Sequence, residues 1–291
     1  MRFRDTLVLS AALFGALAVR SLPVFGQVAQ PVSYAYREVD GMKLNAYVFM
    51  PSGQASQGQT SAILLFHGGG WVAGSAEWTF DDARRFAALG IVAIAVDYRL
   101  AAGEITPIEA LDDTRAAFQW VRRQAAEFKI DPNRVAGYGV SAGGYLVAAA
   151  SLVDLPNGQA ADKDAMPNLL LLWSPALDVA ADGWFVRLLQ GRANAAEFSP
   201  MEHASAATPP TSIVNGDKDT LTPVSRAKRF CDRVIQSGGI CELNIYPGVG
   251  HLLTRNLANQ ESDFDPDPAF LADGKAQQDR FLRERGYLPA K

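Results

Sequence analysis

RVAGYGVSAGGYLVAAASLV, residues 134–153, is the stretch on which the fold turns. It opens as a short apolar run, passes through Gly139-Val140-Ser141-Ala142-Gly143, and continues as Ala, Leu and Val for about three helical turns. A GxSxG pentapeptide alone is common. Its place here, where a predicted strand becomes a predicted helix, is what gives it meaning. A serine on so tight a turn points its hydroxyl out of the sheet. Flanking glycines let the two backbones approach closely, and the helix N-terminus leaves free N–H groups and a positive dipole end beside the hydroxyl.

Outward from this turn, strands and helices alternate. Residues 34–50 alternate in a strand-like way around Asp40-Gly41, a hairpin turn. Residues 51–60 form a polar loop. AILLFHGGGW is a buried strand meeting a glycine turn, 76–89 a helix, and IVAIAVDYR another buried strand. Residues 107–128 predict a long amphipathic helix with Pro107 near its start. Downstream, LLLLWSP, TSIVNGD and CELNIYP read as strands, PVSRAKRFCDRVIQ and 268–288 as helices. This pattern predicts an α/β fold with a mostly parallel sheet covered on both faces. Residues 176–210 break the alternation and are expected to form a small cap-like excursion over the sheet.

A second motif, His67-Gly68-Gly69-Gly70-Trp71, directly follows a strand. Backbone N–H groups of residues without side chains can converge on the negative charge that builds on a carbonyl oxygen during acyl transfer. Gly69, Gly70 and Ala142 are the expected donors. Serine also needs a base, and the chain has three histidines. His67 belongs to the glycine motif and is expected to brace it. His203 lies in the polar part of the excursion. His251, in Tyr246-Pro247-Gly248-Val249-Gly250-His251, follows a strand and completes the order Ser…Asp…His. Of the two acids in Asn215-Gly216-Asp217-Lys218-Asp219, Asp219 precedes the next helix and is expected to orient the base. Asp217 reads as a turn residue. Trp71, Trp184 and Phe185 are candidates for lining a substrate pocket, with Trp184 and Phe185 in the core of the excursion as the alternative. Asp112 and Asp113 on the long helix read as a solvated face.

Composition narrows the class of partner. The 291 residues are 48% hydrophobic and 20% charged, with a formal net charge of −4. No basic patch argues for nucleic acid, no cluster has metal-ligand spacing, and no dinucleotide fingerprint is present; no cofactor is expected. Residues 1–26 combine Arg2 and Arg4 with the apolar run 6–19 and read as a signal peptide, followed by one domain over 27–291. The run is shorter than the roughly 20 residues a membrane span requires. An exported, periplasmic or extracellular location is the expectation. Cys231 and Cys241, the only cysteines, lie on a helix and on the strand it folds back onto, so a disulfide is possible.

Taken together, HGGGWVAGS (67–75), VDYRLA (96–101) and GVSAGG (139–144) resemble the HGGG-motif esterases of the α/β-hydrolase superfamily, over about residues 34–256. It resembles more closely still their short feruloyl- and acetyl-esterase-like branch, related to the hormone-sensitive-lipase-like family. It departs from the lipase-like branch at Ala101-Ala102-Gly103-Glu104, where that branch reads APE, and at Val140, where it carries an acid. The resemblance implies a carboxylesterase acting on small acyl or aromatic esters, free or linked to polysaccharide, through a Ser141–Asp219–His251 triad and an acyl-enzyme. It also implies that Tyr98 and Arg99 brace the glycine loop. An arylformamidase, amidase or peptidase with the same triad, and a non-catalytic binding module, are the alternatives.

Overall fold

A computed structural model describes residues 30–51, 59–154 and 162–288. The expected signal peptide lies outside the described residues.

One eight-stranded sheet forms the centre, in the order β1-β2-β4-β3-β5-β6-β7-β8. β1 (Val32–Val39) and β2 (Met42–Phe49) are a hairpin closed at Asp40-Gly41, where both residues have positive φ (50° and 76°). That is the mirror-image turn whose twist matches flanking strands. β2 pairs antiparallel with β4 (Val92–Val96). β3 (Thr60–Phe66), β5 (Ile130–Val140), β6 (Leu169–Trp173), β7 (Thr211–Gly216) and β8 (Cys241–Tyr246) join β4 in parallel.

Side chains alternate across this sheet into two cores. Ala62, Leu64 and Phe66 of β3 face one; Ile63 and Leu65 face the other. The first core is closed by α2 (Pro107–Arg123), α4 (Ala142–Leu152) and α7 (Val224–Gln236) through Phe118, Leu146 and Phe230. The second is closed by α1 (Phe80–Ala88) and α8 (Pro268–Glu284) through Phe86 and Phe281. Because β4 and β6 are buried at every position, VAIAV and LLLLW carry no polar side chains. The start of α2 is fixed chemically: Thr106 and Glu109 form a capping box, with Pro107 in the first turn. The predicted 107–128 helix is divided after Arg123, with a short α3 (Ala125–Phe128) ending at left-handed Lys129.

Residues 176–210 hold two short helices, α5 (Gly183–Leu188) and α6 (Pro200–His203). Gln190 donates to Gly103 O (2.8 Å), and Arg192 donates to Glu104 O (2.7 Å) and pairs with Glu109 (2.8 Å). Cys231 and Cys241 are joined by a disulfide between α7 and β8, with Cα atoms 5.2 Å apart. Among the described residues no helix is long and apolar enough to cross a membrane.

One expectation is corrected. Asp113 is not on a solvated face: it is buried and accepts from Arg99 Nε (2.8 Å), Arg99 Nη2 (2.9 Å) and Arg37 Nη1 (2.9 Å). Burying this carboxylate is compensated by two guanidiniums and the Arg99 N–H (3.0 Å). Asp112 remains near the surface, paired with Arg37 at 2.6 Å.

Candidate active site

Ser141 closes β5 and caps α4 with φ 54° and ψ −114°, a conformation costly for any residue with a Cβ. Packing holds it there. Ser141 N donates to Trp173 O of β6 (2.9 Å), and Ser141 O accepts from Tyr145 N (3.2 Å). Gly143 touches the end of β3: a Cβ at 143 would fall against Phe66 O and 2.5 Å from His67 O. Glycine is therefore required at 143 for α4 to start against β3.

His251 follows β8 and is buried, as is Asp219 after β7. His251 Nε2 lies 3.0 Å from Ser141 Oγ, and His251 Nδ1 lies 2.9 Å from Asp219 Oδ2. Asp219 Oδ1 also accepts from Leu221 N (3.0 Å) and Thr222 N (2.8 Å). Burial pushes the Asp219 carboxyl up, but its hydrogen bond and charge interaction with His251 and its contacts with Thr222 outweigh burial. The net direction is below the ordinary carboxylate value. An ionised Asp219 fixes the tautomer: Nδ1 carries the proton and donates to the carboxylate, leaving Nε2 to accept from the Ser141 hydroxyl. Asp217 lies in the turn after β7, and its carboxylate accepts from Gly248 N of the loop after β8 at 2.7 Å.

The glycine loop lies directly against the serine: a Cβ at Gly68 would stand 3.2 Å from Ser141 Cβ. Gly69 (φ 101°) and Gly70 (φ 58°) turn the chain, and Gly69 O accepts from Val72 N and Ala73 N, both at 3.1 Å. Among the described residues the N–H groups of Gly69, Gly70 and Ala142 donate to no protein acceptor. Ala142 N belongs to the first turn of α4, where backbone donors have no partner within the helix.

His67 braces this loop as expected. Its Nδ1 is 2.7 Å from Gly68 O, and burial pulls its pKa below the ordinary value against the opposing Gly68 contact. Tyr98 stacks on its ring at 4.3 Å and donates to His67 O (2.9 Å). Among the described residues Arg99 makes no hydrogen bond to the loop. It turns to Asp113 and Glu109 O and so holds α2. His203 is exposed, 2.8 Å from Glu197 O, far in sequence and in bonding from the other two.

The three aromatic candidates part company. Phe185 (0% exposed) and Trp71 (4%) form a buried cluster with Tyr145, at centroid distances of 5.0–5.3 Å. They pack in the core on the α4 side of the sheet and offer substrate no open face. Trp184 is 42% exposed, and its Nε1 donates to Gly70 O (3.0 Å). An indole is thus fixed at the rim of the loop. Trp78, which sequence did not single out, is 63% exposed and edge-on to His67 at 5.9 Å.

Two further residues tie the site together. Thr222 Oγ1 is 2.8 Å from Asp219 Oδ2, 2.9 Å from Ser174 O and 3.2 Å from His251 Nδ1. Ser174, with φ 42°, accepts Leu252 N on its Oγ (3.0 Å) and so holds the residue after His251. A hydroxyl three residues after the acid was a readable signal for Thr222. Ser174, following LLLLW, carried none.

A family model for the alpha/beta hydrolase fold matches residues 63–255, from β3 to just past His251. Esterase LipC of Mycobacterium tuberculosis is 28% identical over 221 residues, 65% of this chain and 52% of that protein. An arylesterase of Saccharolobus solfataricus is 36% identical over 122 residues, 41% of this chain and 38% of its own length. The chain thus spans about half, or less, of the curated relatives it matches. Esterase 2 of Thermogutta terrifontis superposes with a TM-score of 0.78 at 28% identity, over 90% of this chain and 95% of that one. That esterase has also been solved bound to butyrate and phosphoramylated by tabun. The matched span includes the strand-turn-helix at Ser141, the glycine loop and the loops bearing Asp219 and His251, and on that ground this chain belongs to the alpha/beta hydrolase fold family.

Proposed function

We propose that this protein is a serine carboxylesterase, with Ser141 as nucleophile, His251 as base and Asp219 as the orienting acid. The observation that carries this reading is the continuous chain from Ser141 Oγ through His251 Nε2 and Nδ1 to Asp219 Oδ2, at 3.0 and 2.9 Å, beside unpaired glycine-loop donors. His251 Nε2 takes the hydroxyl proton as Ser141 Oγ attacks the ester carbonyl carbon. The carbonyl oxygen becomes an oxyanion, received by the N–H groups of Gly69, Gly70 and Ala142. As the tetrahedral species collapses, the proton on His251 passes to the leaving alcohol. Water then repeats the cycle on the acyl-enzyme and releases the acid.

Small acyl or aromatic esters are the expected substrates, including esters carried on polysaccharide. The partly exposed serine, the indole of Trp184 at the rim and the butyrate-bound relative support that choice. Export to the periplasm or exterior belongs to the same proposal, supported by the disulfide and by the basic-then-apolar start of the sequence.

Hydrolysis of p-nitrophenyl acetate, butyrate and octanoate by the wild type and by Ser141→Ala tests the reaction. Acetylated xylan, methyl ferulate and matched amides and formamides are run alongside. Turnover of the short esters that vanishes in Ser141→Ala supports the proposal. Amide or formamide turnover exceeding every ester, or ester turnover surviving in Ser141→Ala, overturns it.

A further inference from the structure

Gln260 lies outside every motif, in the segment between His251 and α8, yet it is 4% exposed. The segment folds back on itself through a bridge between Thr254 and Pro266 and an ion pair between Arg255 and Asp265 (2.8 Å). This turns the Gln260 amide inward, between the loop after β7 and the loop after β8. Its Oε1 accepts from His251 N (2.9 Å) and from Thr220 N (3.1 Å), the residue following Asp219. Its Nε2 donates to Lys218 O (2.9 Å), the residue preceding Asp219, and lies 3.4 Å from Leu257 O. Gly250 makes room for it: a Cβ there would stand 2.5 Å from Oε1 and 2.8 Å from Nε2.

One planar amide therefore holds both chain neighbours of Asp219 and the backbone of His251 itself. The two loops also meet directly through Lys218 N and Val249 O (3.0 Å), but that contact touches neither residue's own backbone. After His251 the chain needs anchoring, because Leu252 and Leu253 both have left-handed φ (53° and 63°), costly for leucine. Within the esterase reading above, we infer that Gln260 is a positioning residue. It sets the distance and angle between Asp219 and His251 by clamping their backbones, without touching the substrate or the reacting atoms. Buried amides with every group paired fix geometry more sharply than apolar packing does.

The test compares wild type, Gln260→Met and Gln260→Glu. Methionine keeps the length and removes every hydrogen bond. Glutamate keeps acceptors for His251 N and Thr220 N and loses the donor to Lys218 O. Turnover of p-nitrophenyl butyrate is measured per active site titrated with paraoxon, and the low-field proton NMR resonance of His251 Nδ1–H is recorded. Misplacing catalytic groups by a fraction of an ångström to one ångström lowers kcat by about tenfold to a hundredfold. That loss is expected in Gln260→Met, with KM nearly unchanged and the resonance shifted or broadened. Gln260→Glu should fall between the two in both readouts. Wild-type kcat per titrated site together with a wild-type resonance in Gln260→Met would overturn the inference, even if the variant melts earlier. Should Gln260→Met not fold, wild-type values of both readouts in Gln260→Glu overturn it. An inactive wild type refutes the esterase reading instead, and the resonance still tests the clamp.

Discussion

Substituting Gly143 by alanine tests how far the site depends on one close approach. The added methyl points into the end of β3, 2.6 Å from Phe66 C, 2.5 Å from His67 O and closer still to Phe66 O. Real Cβ contacts stay above 3.0 Å, so clearing Phe66 O requires α4 to withdraw by about 0.9 Å, and its first N–H group, Ala142, moves with it. Backbone atoms on both sides leave no flexible side chain to absorb the clash. Overpacking of this kind costs about 1–3 kcal/mol, with melting falling by about 2–4 °C per kcal/mol in a domain of a few hundred residues. On the esterase proposal Ala142 N is an oxyanion donor, and displacing such a donor by about an ångström costs about a hundredfold in kcat/KM, or about 2.7 kcal/mol of transition-state stabilisation. Gly183→Ala is the control: its nearest neighbour is the flexible end of Arg187 at 3.7 Å, and it should leave kcat/KM unchanged and, if anything, raise stability by up to about 1 kcal/mol. Kinetics on p-nitrophenyl butyrate and thermal melts of both variants decide the matter. A Gly143→Ala variant with wild-type kcat/KM would refute the argument that this contact places the site.

Three other outcomes follow from the geometry. The pKa of buried His67 is depressed, so the unfolded chain takes up a proton that the folded one resists; stability is held above the unfolded value near 6.5 and lost as pH falls below it. Urea midpoints from pH 8 to 5 should drop more steeply for wild type than for His67→Gln, and equal slopes would contradict the burial argument. Arg99→Met leaves Asp113 buried with only Arg37 beside it and should cost about 3 kcal/mol by denaturant titration, where a neutral result would mean the pair is dispensable. Reducing Cys231–Cys241, which closes a sequence separation of 10, should lower stability by about 2.7 kcal/mol on the chain-entropy estimate; unchanged midpoints in dithiothreitol would show that packing of α7 on β8 suffices.

What the sequence displayed and what it hid differ by the range of the interaction. The strand-turn-helix at Ser141, the Asp40-Gly41 hairpin and the all-apolar strands are local, each set by neighbouring residues and their periodicity. His251 and Asp219 could be singled out in sequence because few candidates exist and the chain order of the three is constrained, and they lie within hydrogen-bond reach of each other and of Ser141 in the fold. The misreadings were contacts between distant segments. Asp113 looked solvated because its helix is amphipathic; Arg99 and Arg37, 14 and 76 residues away in sequence, make its burial tolerable. Phe185 and Trp71 carried the composition of a pocket wall, but both rings turn inward onto Tyr145 of α4, which lies far from either in sequence. Ser174 and Gln260 act through a hydroxyl and an amide on backbone groups of other loops, and such bonds leave no periodic trace.

The bond from Trp184 Nε1 to Gly70 O, with the Gln190 and Arg192 contacts beside it, makes residues 176–210 a poor candidate for modular exchange. A grafted segment of another length or sequence would release the carbonyl of Gly70 and, with it, the orientation of the adjacent peptide N–H groups. If the protein is the esterase proposed above, libraries aimed at new ester specificity should therefore hold Trp184 and Arg192 constant and diversify the exposed positions between and around them, such as Val186, so that selectivity is altered without retuning the rate.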